Sequence, residues 1–192
     1  MKRLVLLGIV ALALAACSPD EPEVVMSTAD YPSYSTPQEI VDAADVVVRG
    51  EVLGARVEED HPVVSTEGDP TLNPQAGLDE VPDVPGIVVT VSTVRVEEVI
   101  KGDVAVGDLI EVSQLGGLYE GVQYLESQTT PLEEGSQDYV LLLAAHGPGV
   151  PYDLLHPVQA MYTVEAGTLE PVPGENPVAV ETVDQLEDLA ES

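Results

Sequence analysis

The sequence predicts a mainly β domain, a small barrel of about five strands with a short helix at either end of the body. Three observations carry that prediction. Valine-rich runs with a two-residue period recur at 46–52, 87–100 and 109–112, the spacing at which successive side chains fall on opposite faces of a strand. The longest run slips phase by one residue, from Val89 and Val91 to Val94 and Val96, as a bulged strand does when it bends around a barrel. Two capping boxes, Thr36-Pro37-Gln38-Glu39 and Thr182-Val183-Asp184-Gln185, stand near the ends of the body and predict the helices.

The elements follow in order along a chain of 192 residues, the length of one ordinary domain. Met1-Lys2-Arg3 is a short basic start, and Leu4–Ala16 is apolar throughout. As a helix that run spans roughly 20 Å, short of a ~30 Å bilayer core, so it reads as the apolar region of an export signal. Its end, Leu14-Ala15-Ala16-Cys17, resembles the lipobox of bacterial lipoproteins. That resemblance implies that residues 1–16 are a signal peptide removed by cleavage. Cys17 then carries a diacylglyceryl thioether, becomes the new N-terminus and often gains a further acyl chain. Two or more chains hold a protein stably at a bilayer where one does so only marginally. Ser18 rather than Asp follows the Cys, which resembles the pattern for transport to an outer membrane where the host has one.

Residues 17–35 continue as SPDEPEVVMSTADYPSYS after the Cys, acidic and proline-rich without a period, and read as a flexible tether. The body, 36–192, is expected to be a single domain. Its first helix uses the first capping box, with Pro37 at the first helical position and Ile40, Val41 and Ala44 as its apolar stripe. A strand then starts at Val46. Residues 60–86 carry five Pro and three Gly with no sustained period, so they form a long exposed loop, either functional or simply disordered. Beyond the bulged strand, turns at Lys101-Gly102-Asp103 and Gly107-Asp108 lead into Leu109–Val112, and a polar stretch follows from Glu120 to Asp138. Tyr139–Ala145 is apolar throughout, as a strand buried on both faces is. Residues 160–165 and 168–170, joined by Ala166-Gly167, read as a closing hairpin. The second capping box starts a C-terminal helix with Leu186, Leu189 and Ala190 on one edge.

The pieces ADVVVRGEV (44–52), VTVSTVRVEEVIKGD (89–103), LIEVSQLGG (109–117) and PLEEGSQDYVLLL (131–143) together resemble the netrin-like, TIMP-like OB-fold pattern. The same pattern occurs in uncharacterised exported bacterial domains. The resemblance covers about half the chain and implies a five-stranded OB-like barrel. It departs from the eukaryotic modules because this body has no Cys for their disulfides. Their inhibitory use of a free N-terminal Cys does not carry over to a lipidated Cys17. The resemblance therefore speaks to fold, and function must come from the site.

Composition excludes several function classes. The chain holds 35 Asp+Glu against 6 Lys+Arg, a formal charge of −29, and loss of residues 1–16 leaves only Arg49, Arg56, Arg95 and Lys101 as bases. No surface of clustered cations is available for nucleic acid. One Cys excludes a disulfide framework and any multi-thiolate metal site. With no Trp and no Phe there is no strong platform for a sugar, and carboxylate pairs are too abundant to single out a glycosidase. No G-x-S-x-G elbow occurs, and Ser113 and Ser136 have no His near them in sequence.

Two candidate sites remain. His146, Asp153 and His156 lie close together in the sequence and are the types a two-His, one-carboxylate metal site uses, although the spacing matches no known motif. Glu67, Asp69, Asp79, Glu80 and Asp83 in the long loop are hard oxygen donors suited to calcium, without the ordered D-x-D-x-D-G loop. No other cofactor is expected. The function classes left open are a lipid-anchored extracytoplasmic binding module with an envelope protein or a cation as ligand, a metal-dependent envelope hydrolase, a calcium-binding acidic envelope protein, and an envelope spacer. The face near Arg95 and the loops 60–86 and 118–138 are the places expected to bind.

Overall fold

The computed structural model describes residues 22–61, 64–135, 137–172 and 176–192. The expected signal peptide, Cys17 and Ser136 lie outside these residues. The mainly β class with two short helices is what the structure shows. The chain runs β1 (Glu23–Ser27), α1 (Pro37–Ala43), β2 (Val46–Asp60), β3 (Ile87–Lys101), β4 (Leu109–Tyr119) and β5 (Val122–Glu126). It continues through β6 (Asp138–Ala144), β7 (Tyr152–Leu154), β8 (Met161–Glu165), β9 (Thr168–Pro171) and α2 (Val183–Glu191). Among the described residues no helix is long and apolar enough to cross a membrane.

Five strands close a hydrogen-bonded ring. β2 pairs antiparallel with both β3 and β6, and β3 pairs antiparallel with β4. The short β7 completes the ring by running parallel to β4 and antiparallel to β6. Its seam with β4 consists of two residue pairs, Val112 with Tyr152 and Ser113 with Asp153. Inside the ring pack Val48, Val52, Val94, Ile110, Val112 and Leu141, all buried. Burying each such side chain contributes about 1.5–3 kcal/mol, so this cluster is the main source of stability.

Both capping boxes form. Thr36 accepts the Glu39 amide at 3.2 Å, and Thr182 accepts the Gln185 amide at 3.2 Å. The return arms reach one residue further back, to the amides of Ser35 and Glu181. The two helices lie together, with Gln38 of α1 donating to the Leu189 carbonyl of α2 at 3.1 Å. Ile40 and Val41 of α1 and Leu186 of α2 bury into the core.

The expected bulge lies elsewhere. β3 keeps unbroken register with β4 from Val89 to Arg95, so its phase slip is not an inserted residue there. The extra residue at that level belongs to β2, between Val52 and Gly54. The valines change phase because both faces of β3 are covered: Val94 sits in the ring, whereas Val89 and Val91 are buried on the outer side. β3 does carry extra residues nearer its end, Glu97 at the Arg49/Gly50 step and Ile100 at the Val47/Val48 step, and at the first of these the strands touch. A Cβ on Gly50 would overlap the Arg95 carbonyl and lie 2.8 Å from a Val94 methyl, so only glycine admits this approach.

Residues 23–35 are not a free tether. β1 pairs parallel with β5, Glu23 to Ser27 against Val122 to Glu126. Further on, the Ala29 amide donates to Glu126 at 3.3 Å, and Tyr34 exchanges two hydrogen bonds with the Gln159 side chain at 3.1 and 3.0 Å. The segment lacks a period because β1 is exposed on every residue and is held through its backbone. Asp60 of the expected loop 60–86 belongs to β2, and the rest contains neither helix nor strand among its described residues, but 65–77 is tied to itself. There the Asn73 side chain donates to the Ser65 and Glu67 carbonyls, and the Gly77 amide to the Thr66 carbonyl.

Candidate functional site

The outer side of the seam collects the chemistry. β6 ends at Ala144, and the chain turns through His146-Gly147-Pro148-Gly149, closed by a bond from the Val150 amide to the Gly147 carbonyl at 3.3 Å. Gly147 holds φ at 102°, a left-handed geometry that glycine takes without strain. The turn carries His146 back over β7, where Nε2 lies 2.9 Å from an Asp153 carboxylate oxygen. Asp153 pairs with Ser113 across the parallel seam. The carboxylate meets the His146 imidazole, and the Ser113 hydroxyl lies close enough to act on it as well.

This pair divides two cavities. One, of about 250 Å³, has Val89 and Val91 as its floor, with Glu58, Asp60 and Asp153 around it. The other, of about 350 Å³, lies between the seam and the docked N-terminal segment, against Tyr31, Pro32, Leu115 and Leu155. Burial pushes the Asp153 carboxyl up from its ordinary value, His146 and Ser113 pull it back, and the charge of Asp60 adds to the rise.

The arrangement decides what these groups can do. Activation of a serine needs an imidazole against the hydroxyl and a carboxylate behind the imidazole. Here the imidazole is bonded to the carboxylate, and among the described residues no hydrogen bond joins the Ser113 hydroxyl to His146. The expected third member is elsewhere. His156 Nδ1 accepts the Val158 and Gln159 amides at 3.0 and 3.3 Å and its ring packs on Tyr31 at 5.7 Å. With Nδ1 committed as an acceptor and burial holding its pKa down, His156 serves as the cap of a turn. The structure thus joins His146 to Asp153 and leaves His156 apart.

The calcium candidates do not converge either. Glu67, Asp69, Asp79, Glu80 and Asp83 are all exposed, and Asp69 turns inward to its own loop, accepting the Thr71 amide and hydroxyl, each at 2.8 Å. Among the described residues no three His, Cys, Asp or Glu side chains come together to hold a metal. Sequence reasoning missed Glu58 and Asp60 because nothing distinguishes them from the other acids until β2 is registered against β3.

The four basic side chains of the body are spent on the fold. Arg49 is paired with Asp138 and, at 3.8 Å, Glu98. Arg56 joins Glu58 and Glu111. Arg95, on the face expected to bind, is held by Glu51 and by Glu97 at 3.8 Å. Lys101 caps the end of α1, donating to the Val41 and Asp42 carbonyls at 2.8 and 3.2 Å. The Arg95 face is therefore already neutralised from within. No family model matches this chain, and none of the curated proteins matches it.

Proposed function

We propose that the protein is a lipid-anchored, extracytoplasmic binding module without catalysis, and that the outer side of the seam is where it binds. The observation that carries this reading is the placement of the Asp153 carboxylate against His146 and close to Ser113, which gives an acceptor-rich seat and no activated nucleophile. Around it stand Asp60 and, already paired with Arg56, Glu58, over the apolar floor of Val89 and Val91. Such a seat favours a cationic group with an apolar stem, as on a lysine or arginine side chain of an envelope protein. The commitment of Arg49, Arg56, Arg95 and Lys101 to internal partners supports the same preference, because it leaves no cation to receive an anion. The five-strand ring with its short seam supports an OB-like barrel, a partly open five-stranded fold. The LAAC context of Cys17 supports the anchor.

The test is the native mass of the protein gently extracted from its own envelope. The expected species carries acyl chains on Cys17 and a stoichiometric protein partner, and Asp60→Asn combined with Asp153→Asn releases that partner. A partner that stays bound to the double variant removes the seam from the reading. Turnover of any envelope substrate that disappears in His146→Ala establishes an enzyme instead.

A further inference from the structure

The sheet extends beyond the ring through β4, β5 and β1, and this extension has an uncovered apolar face. Register puts Val24, Gln123 and Leu118 in one row across the three strands and Met26, Leu125 and Gly116 in the next. Partners in register share a face, as do alternate residues along a strand. Val24, Met26, Leu118 and Leu125 are 54, 64, 56 and 41% exposed, and neither row contains an ionisable side chain. Gly116 leaves Leu125 and Met26 without a neighbour to cover them. In so acidic a chain, two uncharged apolar rows side by side on one sheet are a departure that calls for an occupant.

The position of this face identifies the occupant. β1 starts at Glu23, and residues 18–22 are all that separate it from Cys17. Fully extended, that length spans at most roughly 20 Å. A compact domain of this size is about 40 Å across. A lipid on Cys17 therefore keeps β1 nearer to the headgroups than one domain diameter, whatever path the connecting residues take. We propose that the face formed by Val24, Met26, Leu118 and Leu125 rests on the bilayer surface that holds the anchor, which fixes the orientation of the domain. This rests on the lipid-anchor reading of Cys17. The acyl chains supply the binding, and the face supplies the orientation, since four side chains are too few to hold a protein to lipid alone. Glu23 opens β1 and Glu120 stands in the turn between β4 and β5, so the charge at this end of the strands is negative and the surface the face fits is zwitterionic.

The chain has no Trp, so a single introduced one reports its own surroundings. Met26→Trp and, separately, Leu118→Trp are prepared in the full-length lipidated protein and placed in phosphatidylcholine vesicles with bromine on the acyl chains near the headgroup. Val106→Trp is the comparison, because Val106 is exposed just before the start of β4, roughly 30 Å of strand from Leu118. The expected result is fluorescence that roughly halves for Met26→Trp and Leu118→Trp, with Val106→Trp unchanged, as contact at the acyl boundary requires. Intact mass, measured on the same samples, reads the state of Cys17. Acylated protein in which the two face positions are no dimmer than Val106→Trp overturns the proposed contact and leaves the anchor standing. Protein without acyl mass overturns the anchor and the contact together. Unquenched face positions in a particle of doubled protein mass assign the face to a second copy, and that also overturns the proposal.

Discussion

Replacing Glu126 tests what docks the N-terminal segment onto the domain. Its carboxylate is buried and accepts four hydrogen bonds: from the Gln128 amide at 2.9 Å, Thr129 at 3.0 Å, Ser127 at 3.2 Å and the Ala29 amide at 3.3 Å. Burial alone would raise its pKa, but these donors outweigh burial and the carboxyl is held below its ordinary value. The two shorter bonds are each worth about 1–1.5 kcal/mol net, and the longer pair adds little, so Glu126→Ala is expected to cost about 2–3 kcal/mol. The loss is local, because the Ala29 and Gln128 amides regain water once β1 lifts away. Amide exchange at Gln128, whose amide loses its acceptor, should quicken by roughly 30- to 150-fold, the factor that energy sets, and exchange at Ala29, held to Glu126 by one longer bond, by a smaller factor, while Val140 and Leu141 in the ring are unchanged. The acid dependence has a defined sign. A carboxyl with a lowered folded pKa stabilises above its unfolded value, about 4.3, and loses that contribution as pH falls through the folded value. Protection in β1, taken relative to the intrinsic exchange rate at each pH, should therefore fall in acid in the parent and lose that dependence in the variant. Unchanged exchange at Gln128 and Ala29 in Glu126→Ala would refute the idea that this acid docks the strand.

Other substitutions probe the ring and the seam. Gly50→Ala places a methyl against the Arg95 carbonyl and Val94 and should lower stability to urea by about 2–3 kcal/mol. A midpoint equal to the parent's would mean β2 and β3 can part without cost. Ser92 is fully buried and its hydroxyl has no partner among the described residues, so Ser92→Ala should raise stability by about 1 kcal/mol. A destabilised alanine variant would show that the hydroxyl is satisfied in solution. Asp153 has a raised folded pKa, so its contribution is full below the unfolded value and lost as pH rises through the folded one. Asp153→Asn should accordingly be at least as stable as the parent at neutral pH, gain nothing at acid pH, and bind its partner less well. Thermal unfolding across pH checks the first two parts, and co-isolation from the envelope checks the third.

The parts of the fold legible in the sequence are those whose side chains record their surroundings. β2, β3, β4 and β6 each bury a valine or leucine row, and both helices carry a capping threonine whose hydroxyl closes the first turn. β1 and β5 left no such record, because β1 is exposed at every position and Glu126 ends β5 with its one buried side chain. β7 is three residues long, too short for any period to be read. The site was half legible for the same reason. His146 and Asp153 stood close in sequence, but Ser113 joins them only through a parallel pairing of strands far apart in the chain. Glu58 and Asp60 reach them only by the register of β2. The two valines read as a bulge, Val89 and Val91, are the floor of that site. Their phase recorded burial on the outer side of the sheet and not an inserted residue at that level.

The two-pair seam has a mechanical consequence. β2, β3, β4 and β6 are joined along long edges, so a fluctuation that opens the ring costs least where β7 meets β4. Asp153 is one of the residues forming that junction, its backbone in the strand pairing and its carboxylate beside the seat proposed for a partner. A partner seated there acts as a clasp across the weakest joint. At a free concentration of a hundred times its dissociation constant it would raise the cost of opening by about 2.7 kcal/mol. On the proposed reading occupancy and rigidity would be a single variable, since a partner seated across the seam would oppose its opening.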